Sequence, residues 1–195
     1  MKILAWNVRG IGSTQKRVQI KHVISDYAPD FVCLSETKLL NVNNKLVKSI
    51  WSSISIKYIF KQVSGRSGGI LLMWDDLKHQ LINYVIGEFT ISTNFVEADG
   101  YNWWITSVYD LVNRSRRKSF WQELMNLAQT CGSNWLLAGD FNAIRWNIET
   151  SSNNPFKYSM TKFNYLILNL GLVDPPLTNG SYTWSNLRDP LCSLD

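Results

Sequence analysis

Apolar positions change period repeatedly along the chain, and the changes divide it into strands and helices. "KILAWNV" opens as a strand at the second residue. "TQKRVQIKHVISDYA" then sets Val18, Ile20, Val23, Ile24 and Tyr27 on a helical stripe that ends at Pro29. "DFVCLSET" is a continuous apolar run of the kind a buried strand shows. A second helix fits "NNKLVKSIWSSI", with Leu46, Ile50 and Ile54 spaced by fours, and it leads into the strand "KYIFKQV". The turn "SGRSGG" separates that strand from "GILLMW".

From His79 to Tyr109 the pattern is strand after strand ("HQLINYVI", "FTISTNFVEA", "NWWITSVY"), which predicts antiparallel sheet. A third helix from about Arg116 carries Phe120, Leu124, Leu127, Ala128 and Cys131 on one face. The buried strand "NWLLAGDFN" follows. "WNIETSSNNPFKYS" is polar and turn-rich and predicts a surface loop. Met160, Phe163, Ile167 and Leu170 mark a fourth helix. One further strand, "SYTWS", precedes a final "CSLD" that looks like the middle of an element. Two α/β halves of this kind imply sheets packed face to face with helices outside, in a single domain over 1–195.

Composition narrows the class. Hydrophobic residues make up 45% and charged residues 18%, which excludes a disordered chain. The nine Trp imply an unusually aromatic interior or binding face. Twenty basic against fifteen acidic residues leave +5, a tilt toward an anionic partner. Cys33, Cys131 and Cys192 are odd in number and contain no C-x-x-C pair, so neither a disulfide framework nor a zinc site is indicated, and a reducing, intracellular setting is expected. No signal peptide and no run of membrane-spanning length is evident.

Candidate chemistry gathers at predicted strand ends: Asn7, Glu36, Tyr109, Asp140 and Asn142. Glu36 directly follows "FVCLS", where a carboxylate suits Mg²⁺. In "LLAGDFNAIR" the strand is expected to release Asp140 and Asn142 one residue apart, and alternation would aim both the same way. A plain turn, in which both bond their own backbone, remains an alternative. The basic run "NRSRRKSF" (Arg114, Arg116, Arg117, Lys118) is a candidate for contact with a nucleic-acid backbone or, equally, the solvated start of a helix. Trp103, Trp104, Trp135 and Trp184 suit either base stacking or core packing.

The motifs "WNVRG", "LSETK", "GGILLMW", "VY" before an Arg-rich helix with "FWQEL", "GDFN", "YTWSN" and "SLD" occur in an order that resembles the endonuclease/exonuclease/phosphatase superfamily, the DNase I-like fold, and most of all the endonuclease domain of plant LINE-type retrotransposons. The resemblance covers essentially the whole chain. It implies an α/β four-layer sandwich of two packed mixed β-sheets flanked by helices, and hydrolysis of DNA phosphodiester bonds with Mg²⁺, or Mn²⁺, as cofactor. Carried over residue by residue, it places Asn7 and Glu36 at the metal, Tyr109 on the scissile phosphate, Asp140 on the attacking water and Asn142 on the phosphate. DNA is the implied partner and the nucleus the implied location.

Two departures stand out. Arg9 replaces the Asp that abasic-site repair relatives carry two residues after the first-strand Asn, and it is a candidate phosphate contact; "VYD" replaces their "VYG" or "VYN". The family's closing "SDH" motif has no match. His22 and His79 fit ordinary, partly exposed histidines, whereas Asp195 matches the Asp of the family's R-L-D strand, which orients the absent His. On that resemblance the domain is incomplete at its C-terminus by roughly 30 to 40 residues, lacks its last strand or strands, and is weakened or inactive as an enzyme. A non-catalytic retroelement remnant, or a phosphatase or nuclease acting on another phosphoester, are the competing readings.

Overall fold

The structure, a computed structural model, describes residues 1–64, 67–110, 116–151, 157–178, 182–185 and 193–194. The chain falls into two units, Met1–Asp140 and Phe141–Asp195.

The first unit is built on two four-stranded sheets. One joins β1 (Ile3–Asn7), β2 (Phe31–Ser35), β3 (Ile56–Ser64) and β4 (Ser67–Asp75) in the order β1-β2-β4-β3, with β1 parallel to β2 and the other pairs antiparallel. The other joins β5 (Gln80–Ile86), β6 (Thr90–Val96), β7 (Asn102–Tyr109) and β8 (Trp135–Asp140) in chain order. Its first three strands are antiparallel, as the stretch from His79 to Tyr109 predicts, and β8 runs parallel to β7.

Both sheets contribute to one aromatic-rich core, in which Phe31, Cys33, Leu72 and Trp74 meet Ile91, Phe95, Trp103 and Ile105. The opposite face of the first sheet packs with α1 (Thr14–Tyr27) and α2 (Asn44–Ile50) around Val32, Leu34, Leu71 and Met73. On the second sheet, α3 (Arg117–Cys131) buries Phe120, Leu124, Leu127 and Cys131, and Phe120 meets Phe89 at 5.5 Å between ring centroids. Two packed mixed sheets flanked by helices are therefore the architecture, as the sequence implies.

Several details differ from the sequence expectation. In α1 only Ile20 and Ile24 are buried. Val18 lies about 200° around the helix from Ile20 and is exposed, and Tyr27, the last helical residue, is exposed too. Helix α2 stops at Ile50, leaving Ile54 in solvent. Ser49 and Ser52 donate to the Leu46 and Lys48 carbonyls, and the Ser53 and Ser55 hydroxyls bond each other, so the serine-rich segment satisfies itself without helix. The apolar run of β8 is half-buried because β8 stands at the sheet's edge among the described residues.

In the second unit, α4 (Lys157–Asn169) begins within the expected loop and buries Met160, Phe163, Leu166 and Ile167; Leu170 falls just past its end. A 3-10 turn (Asn147–Glu149) lies in the same loop. The strand read in "SYTWS" is β9 (Trp184–Ser185), and it pairs antiparallel with β10 (Ser193–Leu194) inside "CSLD". Among the described residues, no helix is long and apolar enough to cross a membrane.

Candidate active site at the strand ends

Parallel pairing brings the C-terminal ends of strands together, and here it does so once in each sheet. Asn7 of β1 is in register with Ser35 of β2, immediately before Glu36. Tyr109 of β7 is in register with Asp140 of β8. The two pairs are joined across the sandwich, where Asn7 Nδ2 donates to Asp140 Oδ2 at 2.6 Å. Asn7 Oδ1 accepts the Arg9 amide at 3.1 Å, which fixes the direction of the side-chain amide.

Pairing along β1 and β2 continues past their ends, with Gly10 N–H donating to Glu36 O at 2.7 Å and Ile11 N–H to Thr37 O at 3.1 Å. On the other side, Thr37 and Lys38 N–H donate to the Gly69 and Gly68 carbonyls, each at 3.1 Å. The segment between is held in an uncommon backbone form: Arg9, Glu36 and Lys38 have φ of 49°, 54° and 57°. Left-handed non-glycine residues persist only where their surroundings over-determine them, and such residues collect at functional sites. The "GG" ahead of "ILLMW" belongs to this arrangement, since a Cβ on Gly69 would stand 2.5 Å from Thr37 Oγ1. Gly139 serves the other sheet: a Cβ there would stand 2.2 Å from the Val108 carbonyl oxygen, one residue before Asp140.

Tyr109, almost fully buried, lies where the Glu36 and Asp140 carboxylates both act on its hydroxyl. Burial, followed by the Glu36 and Asp140 charges, pushes its pKa well above the ordinary value, so it stays a donor. Glu36 is paired with Lys38, whose Nζ lies 3.0 Å from Glu36 Oε1. Next to Tyr109, the fully buried Asp110 donates its N–H to Asp140 O at 2.9 Å, and its Oδ2 accepts from Arg117 Nε at 3.0 Å. Burial pushes the Asp110 carboxyl up to about 6, with Asp140 adding to the shift and Arg117 opposing it.

Asn7, Glu36, Tyr109 and Asp140 are thus gathered at one end of the sandwich. Asn142 opens the second unit with φ 46°, beyond the end of β8, so strand alternation does not reach it and does not set its direction as the sequence leads one to expect. Arg114 and Asp195 lie outside the described residues. The basic run is more committed than its sequence suggests. Arg116 pairs with Glu88 and lies over the Phe89 ring, Arg117 pairs with Asp110, and Lys118 is exposed on a groove between β5 and α3.

Other candidates are structural. His79 is buried rather than partly exposed, with Nδ1 3.0 Å from Glu97 Oε1, because the turn after β4 carries it against Phe31. Trp103 and Trp104 are buried, and Trp135 Nε1 donates to Thr106 Oγ1. Cys33 and Cys131 are free, buried thiols, each pushed up to about 12 by burial.

Sequence reasoning missed Lys38 and Asp110. Their only signals are the Lys of "ETK" and the Asp of "VYD".

The donors at the strand ends are oxygens and amides, the set a hard cation takes, with no thiol or imidazole among them. Among the described residues no three His, Cys, Asp or Glu side chains form a metal-holding group.

No curated protein matches the chain. Among solved structures, the endonuclease domain of TRAS1, a telomere-specific non-LTR retrotransposon, superposes with a TM-score of 0.74 at 10% identity, covering 99% of this chain and 80% of that domain. The Leishmania major AP endonuclease LMAP gives 0.64 at 15% identity, over 87% of this chain and 66% of its own length. The Neisseria 3′ phosphatase NExo, bound to a product DNA hairpin, gives 0.65 at 17%, over 89% of this chain and 72% of that one. The sequence itself matches the family model over residues 4–194, across the strands that carry Asn7, Glu36, Tyr109 and Asp140, and the chain belongs to the endonuclease/exonuclease/phosphatase family.

Proposed function

We propose that the chain is the DNA-cleaving domain of a LINE-type retrotransposon, acting in the nucleus and hydrolysing a phosphodiester bond by direct attack of water. The observation that carries this reading is the 2.6 Å bond from Asn7 to Asp140 across the sheets, beside a Tyr109 hydroxyl on which the Glu36 and Asp140 charges both act. The likeness to the TRAS1 domain over nearly the whole chain supports the LINE affiliation, as does Arg9 in the position where repair relatives carry Asp. The plant affiliation rests on the order of the motifs.

Asp140 takes the proton of the attacking water, and Asn7 holds that carboxylate in place. The oxygen attacks phosphorus as the P–O bond to the leaving sugar oxygen breaks. The Tyr109 hydroxyl, kept protonated by its surroundings, donates to a non-bridging phosphate oxygen, as does Asn142. Glu36 and Asn7 would hold Mg²⁺, which would supply charge neutralisation on the phosphate and help for the leaving oxygen. Arg9 and Lys118 contact the DNA backbone, together with Arg114 and Arg116 of the basic run; Arg117 acts through Asp110.

Nicking of supercoiled plasmid in Mg²⁺ tests the assignment. Glu36→Gln and Asp140→Asn are each expected to lower the rate by at least about 100-fold, since each removes a group that acts on charge developing in the transition state. Undiminished nicking by either variant overturns its assigned role.

A further inference from the structure

The carboxylate assigned to the cation already has a charged partner: Lys38 brings an ammonium to Glu36 Oε1 at 3.0 Å. An ammonium on a carboxylate opposes a cation on the same group, because like charges a few ångströms apart repel.

The backbone around the pair cannot move aside. Glu36 O, Thr37 N and Lys38 N are all tied to neighbouring strands, Thr37 is buried, and residues 36 and 38 are both left-handed. What can move is the Lys38 side chain, which is 44% exposed where that of Glu36 is 17% exposed. Its stem lies across Gly10, with Cδ 3.5 Å from the point a Cβ would occupy there. A flexible four-carbon stem at the rim of the site gives the ammonium a second place to go.

From this, and resting on the assignment of Glu36 to a divalent cation, we infer that Lys38 is an exchangeable internal counter-ion. It neutralises Glu36 in the cation-free protein and gives up that carboxylate when the cation binds, leaving its charge at the rim where the anionic backbone of a substrate passes. Lys38 is a positioning residue in this scheme, because it acts on the cation through Glu36. Binding of the cation to free protein is weakened by the exchange, and an anionic substrate relieves that cost by accepting the displaced ammonium.

The test is Mn²⁺ binding to the DNA-free protein, followed by the loss of the free-ion EPR signal. Lys38→Met and Lys38→Gln remove the charge at an exposed position, and each is expected to bind Mn²⁺ about three- to tenfold more tightly than the unsubstituted protein. A Lys38 with a merely structural role gives the opposite sign, since its loss slackens the site and weakens binding. Affinity unchanged or lowered in both variants, with melting temperatures within a few degrees of the parent, overturns the inference. Glu36→Gln separates the two levels. Loss of Mn²⁺ binding in it confirms that the measured site is the one at Glu36, whereas retained binding overturns the cation assignment and the exchange with it.

Discussion

Asn7→Asp is the sharpest single probe of the site, because it keeps the shape of the side chain and reverses the sense of its contact with Asp140. The amide donates to Asp140 Oδ2 at 2.6 Å. A hydrogen bond to a charged acceptor contributes about 1.5–3 kcal/mol. Replacing the donor by a carboxylate removes that bond and adds repulsion. For unit charges near 4 Å the repulsion is about 1 kcal/mol in water and about 4 kcal/mol near a protein surface, so about 2 kcal/mol is appropriate for two half-buried groups. The sum is about 4 kcal/mol at pH 8, a fall of roughly 8–16 °C in melting temperature for a chain of this size. Two facing carboxylates bind a shared proton more tightly folded than unfolded. The pair's own contribution to the variant is therefore most favourable at low pH and is lost as pH rises, and the deficit against the parent narrows toward about pH 4. Asn7→Ala, which only removes the donor, is expected to lose about 2 kcal/mol with little dependence on pH between 5 and 8. Calorimetric melting of the three proteins from pH 4 to 8 decides the matter. If Asn7→Asp melts with Asn7→Ala at pH 8, or its deficit does not change with pH, the contact across the sheets has been misread.

Three other outcomes are expected. The Asp110 carboxyl, raised by burial from 3.8 to about 6, favours the folded state below pH 4, and that contribution is lost as pH rises through 6; it amounts to at most about 3 kcal/mol. Asp110→Asn should flatten this part of the melting profile, and an unchanged profile excludes Asp110 as its source. Arg9→Glu and Lys118→Glu should each reduce the slope of log DNA affinity against log salt by about 0.9 for every phosphate left without its cation, and a residue whose reversal leaves the slope unchanged does not lie on the DNA path. At Glu36, where φ is 54°, the Gly variant should be about 1 kcal/mol more stable than the Ala variant, the reverse of their usual order. A higher melting temperature for Glu36→Ala would mean that the left-handed backbone is not imposed there.

Element types were legible because burial enforces period, and period survives in the sequence even where ends do not. The end of α2 was lost because serines that bond their own backbone leave no trace in an apolar stripe spaced by fours. The four strand-end residues were legible from their positions after apolar runs and from the order of motifs. Their partners were not. Asn7 meets Asp140 across 133 positions, Arg116 finds Glu88 across 28, and His79 reaches Glu97 only because a turn carries it into the aromatic core. A basic run therefore reads as free charge when Arg117 is spent on the buried Asp110 and Arg116 is already paired with Glu88 at the surface, and a histidine reads as partly exposed when it is packed on Phe31.

The left-handed residues explain why this site sits at strand ends. A side chain inside a strand is committed to one face of its sheet, so two sheets packed face to face offer it either the core or the outer layer. To bring a carboxylate of one sheet to a hydroxyl of the other, the chain must leave its ladder while its backbone stays fixed. At Glu36 this is met by a left-handed φ, with the adjoining amides and carbonyl still bonded to Gly10, Gly68 and Gly69. Glycines at φ 100° and 86° flank the segment, and in one of them a Cβ would strike Thr37. The strain is confined to a few residues and held by strands whose own pairing is regular. Loosening either glycine should therefore disturb the aim of Glu36 before it disturbs the fold, because most of the core between the sheets, from Phe31 to Trp103, is built inside regularly paired strands away from this segment.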